Sequence, residues 1–213
     1  MRQSITLTTL IIWGFLAIAL VWGLWTQEWL SAFVALLTFL TTLLPLYFAK
    51  WYDVHVPRSF MAAVIMFIFA TLFLGEVLDF YNRYWWWDVV LHGGSAIGFG
   101  LIGFLLVFMM FQGDRYAAPP RAVGFFGFCF AMTIGALWEI FEYAMDQAFG
   151  MNMQKSGLHD TMWDLIVDAI GGLIGAGAGV LYLRRHEGGY FSRMLHEFQQ
   201  RNRRFFIRFR DED

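Results

Sequence analysis

Residues 159–179, HDTMWDLIVDAIGGLIGAGAG, combine two patterns on one predicted helix. Asp160, Asp164 and Asp168 recur every four residues, so their side chains share one face of the helix. Residues 171–179 then carry a glycine at every fourth position, a spacing that lets another membrane helix approach closely. Because a carboxylate inside a bilayer is energetically expensive, these aspartates are candidates for a functional site.

The composition indicates an integral membrane protein. Of the 213 residues, 59% are hydrophobic, 20% are aromatic and 15% are charged, whereas soluble domains average about 25% charged residues. The mean hydropathy is +0.54. The basic residues lie in loops and in one tail, which excludes a nucleic-acid-binding surface. Cys129 is the single cysteine, so no disulfide can form within the chain.

The apolar runs predict an all-α polytopic fold with six transmembrane helices, since a span needs about 20 apolar residues. The predicted spans are residues 5–25, 29–49, 59–79, 87–111, 122–145 and 161–183. They form one transmembrane domain, residues 1–183, which is followed by a basic amphipathic helix in residues 184–213. This tail either lies on the anionic inner leaflet or is a solvated helix that anchors the topology.

Loop charge predicts the orientation of the chain. Thirteen of the fifteen Lys and Arg residues fall at the N-terminus, in the loops after spans two and four, and in the tail. Arg83 and Lys155 lie on the opposite side. The positive-inside rule therefore predicts a bacterial inner-membrane protein with both termini in the cytoplasm.

With this orientation, nine acidic residues fall in the outer half of the membrane or at its outer mouth. They are Glu76, Asp79, Asp88, Glu139, Glu142, Asp146, Asp160, Asp164 and Asp168. So many like charges cannot all stay ionised without cations, and two bases are too few to pair with nine acids. Asp160 has a second interpretation as a helix N-cap.

The favoured interpretation is a site for a divalent cation, Ca²⁺, Mg²⁺, Mn²⁺ or Zn²⁺. Its predicted ligands are Glu139, Glu142, Asp164 and Asp168. His92 is predicted to be a further ligand or a general base, and Asp88, four residues earlier, is predicted to orient it. Arg83 and Lys155 are predicted to bind a phosphate or carboxylate headgroup.

The sequence is compatible with three function classes. The first is a metal-dependent site that binds or acts on a lipid or envelope precursor. The second is a transporter coupled to protons or cations through the same carboxylates. The third is a non-catalytic membrane scaffold that binds partners through its glycine seams.

Three segments resemble the YjdF-type family of bacterial inner-membrane proteins, which has no assigned activity. They are WDVVLHGGSAIGFGLIGF (87–104), GALWEIFEYAMD (135–146) and DTMWDLIVDAIGGLIGA (160–176). More distantly, the chain resembles the VanZ-like superfamily, which is associated with glycopeptide resistance. In that superfamily a His opens one span, a Glu-x-x-Gln/Glu pair closes the next, and Asp-x-x-x-Asn/Asp-x-x-Gly opens the last.

The residues that fit the VanZ-like arrangement are His92, Glu139, Glu142, Asp164, Asp168 and Gly171. Asp168 stands where the superfamily often has Asn, and Glu142 where it often has Gln, so this chain is the more acidic. The resemblance implies the fold and the choice of site residues, and it implies no particular reaction.

Overall fold

The structure, a computed structural model, describes residues 5–111, 118–185 and 189–207. Within these ranges the chain is helical and contains no strand. Six helices are long and apolar enough to cross a membrane: Leu7–Thr26, Trp29–Trp51, Arg58–Val77, Trp87–Met110, Pro120–Phe149 and Leu158–Arg184. The predicted all-α fold with six membrane-crossing helices is confirmed for this part of the chain.

The helices are numbered in chain order. They are α1 (Leu7–Thr26), α2 (Trp29–Trp51), α3 (Arg58–Ile68), the π-helix π1 (Phe69–Val77), α4 (Phe80–Arg83), α5 (Trp87–Met110), α6 (Pro120–Phe149), α7 (Leu158–Arg185), α8 (Tyr190–Arg201) and α9 (Arg204–Ile207). They form two compact units, Met1–Trp87 and Asp88–Asp213. The predicted boundary between a transmembrane domain and a tail at residue 183 stays a prediction.

The first unit is built on the α1–α2 hairpin. Gln27, in the left-handed backbone conformation, ends α1 and starts the turn. Gly23 then lets the start of α2 come close, because a Cβ there would lie 3.0 Å from the Ala32 nitrogen. Trp13 Nε1 donates a hydrogen bond to Thr42 Oγ1 (2.9 Å) across the two helices. Apolar side chains of α1, α2, α3 and π1 form the core of this unit.

The third span changes from an α-helix to a π-helix at Phe69. The rings of Phe69 and Phe73 stack in parallel at 5.7 Å, and Gly75 leaves room for the ring of Tyr81. Asp79, with a positive φ of 61°, follows the end of this helix. π-helical turns widen the backbone, and they occur frequently next to functional positions.

In the second unit, α5, α6 and α7 pack through glycines. A Cβ at Gly100 on α5 would lie 2.8 Å from the Gly172 oxygen on α7. A Cβ at Gly127 on α6 would lie 2.9 Å from the Phe104 nitrogen on α5. Only a residue without a side chain allows these backbones to come so close, which is how small residues drive helix packing in lipid.

The C-terminal helices α8 and α9 pack on the ends of α5 and α7. Leu195 is 1% exposed, and the Tyr182 hydroxyl donates to Gln199 Oε1 (2.6 Å). The ring of Phe206 lies 5.6 Å from that of Phe108. The buried apolar side chains of the predicted amphipathic tail are therefore covered by the ends of α5 and α7 rather than by lipid.

Candidate metal centre

His92, on the second turn of α5, lies at the centre of the buried polar groups in the second unit. Its Nδ1 atom lies 3.4 Å from both carboxylate oxygens of Asp168, within hydrogen-bonding reach. Its Nε2 atom lies 3.9 Å from Asp88 Oδ1 and 3.9 Å from Glu139 Oε1. One edge of the imidazole is thus held by a single aspartate, and the other edge faces two carboxylates.

Helical spacing and close packing bring these groups together. Asp88 and His92 are four residues apart on α5, and Asp164 and Asp168 are four apart on α7, so each pair shares a face. The two helices meet at Gly171, where a Cβ would lie 2.6 Å from the oxygen of residue 93, the neighbour of His92. The glycine stripe therefore sets the distance between the imidazole and the aspartates.

Gly135 on α6 provides the space for the Asp168 carboxylate. A Cβ at this position would lie 2.9 Å from Asp168 Cγ and closer still to one of its oxygens. Asp168 is 2% exposed, so its carboxylate has little space to move into. Gly135 thus keeps Asp168 beside His92, a role that the sequence pattern does not indicate.

Two buried acids near the imidazole have carboxylate oxygens without a hydrogen-bond partner in the described part of the chain. Glu139 is 4% exposed, and neither of its carboxylate oxygens has a partner among the described residues. The Thr161 hydroxyl, which accepts a hydrogen bond from Gln154 Nε2 (2.6 Å), lies near Glu139; its single proton can serve only one of the two carboxylate oxygens, so at least one oxygen remains without a partner. Asp164 is 3% exposed, and its Oδ2 atom also lacks a partner in that part of the chain. Because a buried polar atom without a partner costs about 1–3 kcal/mol, both groups require an explanation.

Asp88, His92 and Asp164 offer a geometry that suits a metal ion. One ligand atom from each lies within 4.8 Å of the other two. Ligands bonded at about 2.1 Å are separated from each other by roughly 3–4 Å, so shifts of about 1 Å would close the site. The imidazole suits Zn²⁺ and other transition metals, and the two carboxylates suit Mn²⁺ and Mg²⁺.

The structure gives two of the predicted site residues other partners. Glu142 is half-buried, and it accepts a hydrogen bond from Trp138 Nε1 (3.1 Å) on its own helix. Asp146 accepts hydrogen bonds from the backbone nitrogens of Met153 (2.7 Å) and Gln154 (3.0 Å). Asp146 thereby holds the turn between α6 and α7, which is a structural function.

The other predicted residues lie around the edge of the cluster or in the first unit. Asp160 lies in the first turn of α7, past the N-cap position, where its charge favours the helix dipole. Asp160 and the exposed Lys155 are both near enough to interact with the charge of Asp88. In the first unit, Glu76 and Arg83 are exposed, and Asp79 Oδ1 accepts a hydrogen bond from Asn82 Nδ2 (2.6 Å).

Asp146→Ala is expected to loosen the turn at residues 150–157, since it leaves two backbone N–H groups without their acceptor. We expect a loss of about 1–3 kcal/mol in the free energy of unfolding and faster trypsin cleavage after the exposed Lys155. Asp146→Asn, which keeps one acceptor oxygen, is the matched variant and should show a smaller effect. Equal cleavage rates in wild type and Asp146→Ala would contradict this role.

Comparison with known proteins gives a family and no function. Residues 8–185 match the model of a family described as "Predicted membrane protein (DUF2238)", and because the match covers most of the chain, the chain belongs to that family. A protein of Thermotoga maritima, named "Uncharacterized protein", is 26% identical over 127 residues, which are 60% of this chain and 65% of that protein. The chain thus spans about two thirds of the length of that relative. No solved structure matches.

Proposed function

We propose that this member of the DUF2238 family binds a divalent cation between α5, α6 and α7. The proposed ligands are His92 Nε2, Asp88 and Asp164, with Glu139 as a fourth. The observation that supports the proposal most strongly is the meeting of three ligand atoms within 4.8 Å beside the buried, unpartnered carboxylate of Glu139. A cation would supply the missing partner for Glu139 and for Asp164 Oδ2.

In this proposal Asp168 has a different role from the one its sequence spacing suggests. Its carboxylate faces Nδ1 of His92 (3.4 Å), so it favours the tautomer that carries its proton on Nδ1. Nε2 is then free to bind a cation, an arrangement common in metal sites, where a carboxylate orients the liganding histidine. Asp168 is therefore proposed as a positioning residue, and Asp88 as a ligand. Glu142, which accepts from Trp138, is left out of the ligand set.

The proposed substrate class is a lipid or envelope precursor with a phosphate or carboxylate headgroup. A bound cation would polarise such a group or activate a water molecule. The exposed Lys155, which is near enough to interact with the charge of Asp88, is proposed to attract the headgroup. The distribution of basic loops supports a cytoplasmic location of both termini in a bacterial inner membrane, with the site in the outer half.

Elemental analysis of the full chain, purified in detergent, tests the cation site. The protein is re-equilibrated separately with Ca²⁺, Mg²⁺, Mn²⁺ and Zn²⁺, because a weak site can empty during purification. We expect about one divalent ion per chain with at least one of these metals, and none in an Asp88→Asn/Asp164→Asn double variant. A wild-type protein that retains no ion under any of these conditions would overturn the proposal.

Ion transport is the competing proposal, and the depth of the acids supports it. Glu139 and Asp164 are buried within candidate spans, where ionisable residues often mark an ion or proton pathway. A pH-dependent ion flux into liposomes that is lost in Glu139→Gln and kept in Glu142→Gln would favour transport. If both the flux and the cation binding are absent, a scaffold that binds partners through its glycine faces becomes the better interpretation.

A further inference from the structure

We propose that the outward face of α8 and α9 binds the phosphate headgroups of anionic lipids. Four exposed arginines lie on this segment: Arg193, Arg201, Arg203 and Arg204. The proposal is independent of the cation site, because it rests on the opposite end of α5 and α7.

Contacts with α5 and α7 fix the level of α8 and α9 relative to the ends of these two spans. Phe206 packs on Phe108, two residues before the end of α5, and Gln199 accepts from Tyr182, three residues before the end of α7. At 1.5 Å per residue, both contacts lie within about 5 Å of the span ends. A helix held at that level lies next to the headgroup layer rather than in bulk water.

The character of the segment fits an interfacial position. Its buried side chains, Met194, Leu195 and Phe206, face the bundle, so the surface left outside is mainly polar and basic. Tyr190 remains 53% exposed at the start of α8, and tyrosines are common at the membrane interface. Electrostatic contact with headgroups, without insertion of an apolar face, is therefore the expected mode of binding.

The balance of charge favours an anionic partner. Glu197 is the one acidic residue among the described residues 190–207, and it forms an ion pair with Arg201 (3.7 Å). Arginine suits phosphate because its planar guanidinium can donate two parallel hydrogen bonds. Each basic residue near an anionic membrane surface contributes enough binding energy for a roughly fivefold gain in affinity.

Native mass spectrometry of the full chain in neutral detergent tests this proposal with phosphatidylglycerol and phosphatidylcholine of identical acyl chains. We expect wild type to prefer phosphatidylglycerol, and an R193Q/R203Q/R204Q variant, which leaves the Arg201–Glu197 pair intact, to lose about a hundredfold in affinity. R193K/R203K/R204K should retain most of the binding. The comparison variant is K50Q/R58Q, which removes two charges from span ends of the first unit and should lose much less affinity than R193Q/R203Q/R204Q, because neither charge lies on α8 or α9.

Three results would overturn the proposal. The first is equal binding of both lipids by wild type, and the second is unchanged binding by the glutamine variant. The third is complete displacement of phosphatidylglycerol by millimolar inorganic phosphate, which would identify a site for soluble phosphate. Because binding should also weaken in wild type as salt rises from about 0.1 to 0.5 M, the proposal can be tested even without a variant.

Discussion

Asp164→Asn is expected to lower the affinity for the preferred divalent cation by at least about a hundredfold, because it removes a negative ligand from a site with few ligands. Asn has the same shape as Asp and keeps one oxygen, so packing in α7 should not change. Asp168→Asn should weaken binding by about 10- to 100-fold, the range seen when a residue that orients a metal ligand is replaced. Isothermal titration in detergent, or competition with a fluorescent chelator, measures these affinities.

Asp160→Asn is the matched control, because it removes the same charge one turn earlier on the same helix. Asp160 is not among the three residues whose ligand atoms meet, so we expect a change of less than about threefold, from long-range attraction alone. A loss as large as that of Asp164→Asn would mean that the acidic end of the bundle attracts cations without a defined site. Wild-type affinity in Asp164→Asn would exclude this residue as a ligand.

Thermal stability gives a second readout of the same site. Cation at a hundred times its dissociation constant should stabilise wild type by about 2.7 kcal/mol, because it binds the folded chain alone. Asp164→Asn should gain no more than about 0.4 kcal/mol at the same cation concentration, because its affinity is at least about a hundredfold lower. When a chelator removes the cation, Asp164→Asn should be more stable than wild type. The neutral amide replaces a buried carboxylate whose Oδ2 atom lacks a partner.

The spans and the region of the site could be predicted from the sequence because both depend on local patterns. Apolar runs of about 20 residues determine the six spans, and four-residue spacing places Asp88 with His92 and Asp164 with Asp168. The π-helix at Phe69–Val77 could not be predicted, because its apolar composition suits an α-helix equally well.

The sequence could not predict which acidic side chains face His92, because this depends on how each helix is rotated against its neighbours. Glu139 and Glu142 are three residues apart, which separates them by about 60° around α6. That angle is enough to turn Glu139 toward His92 and Glu142 toward Trp138. Whether Asp88 or Asp168 faces a given edge of the imidazole likewise depends on the contact between α5 and α7, for which periodicity carries no information.

The structural role of Asp146 depends on the conformation of a loop. Its two hydrogen bonds go to backbone groups seven and eight residues later, across a turn that contains Gly150 and Gly157 with positive φ. The glycines were visible signals of a tight turn. An acid just before these glycines is a candidate for holding the turn, whereas its charge and its position near a span end predict membership of the acidic cluster.

Gly175→Ala is expected to destabilise the second unit strongly, because the added methyl group would meet the backbone of α5. A Cβ at Gly175 would lie 3.0 Å from the Ile97 carbonyl carbon and closer still to its oxygen. Backbone atoms cannot rotate out of the way as side chains do, so α5 and α7 must move apart. Overpacking typically costs about 1–3 kcal/mol, and we expect the upper end of this range here.

Gly177→Ala provides the matched control two residues along the same helix, where a Cβ would meet nothing within 4 Å. This variant should be neutral, or more stable by up to about 1 kcal/mol from helix propensity. Unfolding of both variants in detergent, followed by circular dichroism, measures the difference. Because the contact at Gly171 also sets the distance between His92 and the aspartates, separation of α5 and α7 should weaken cation binding as well. A Gly175→Ala variant as stable as Gly177→Ala would show that the two helices are not held in close contact at this point.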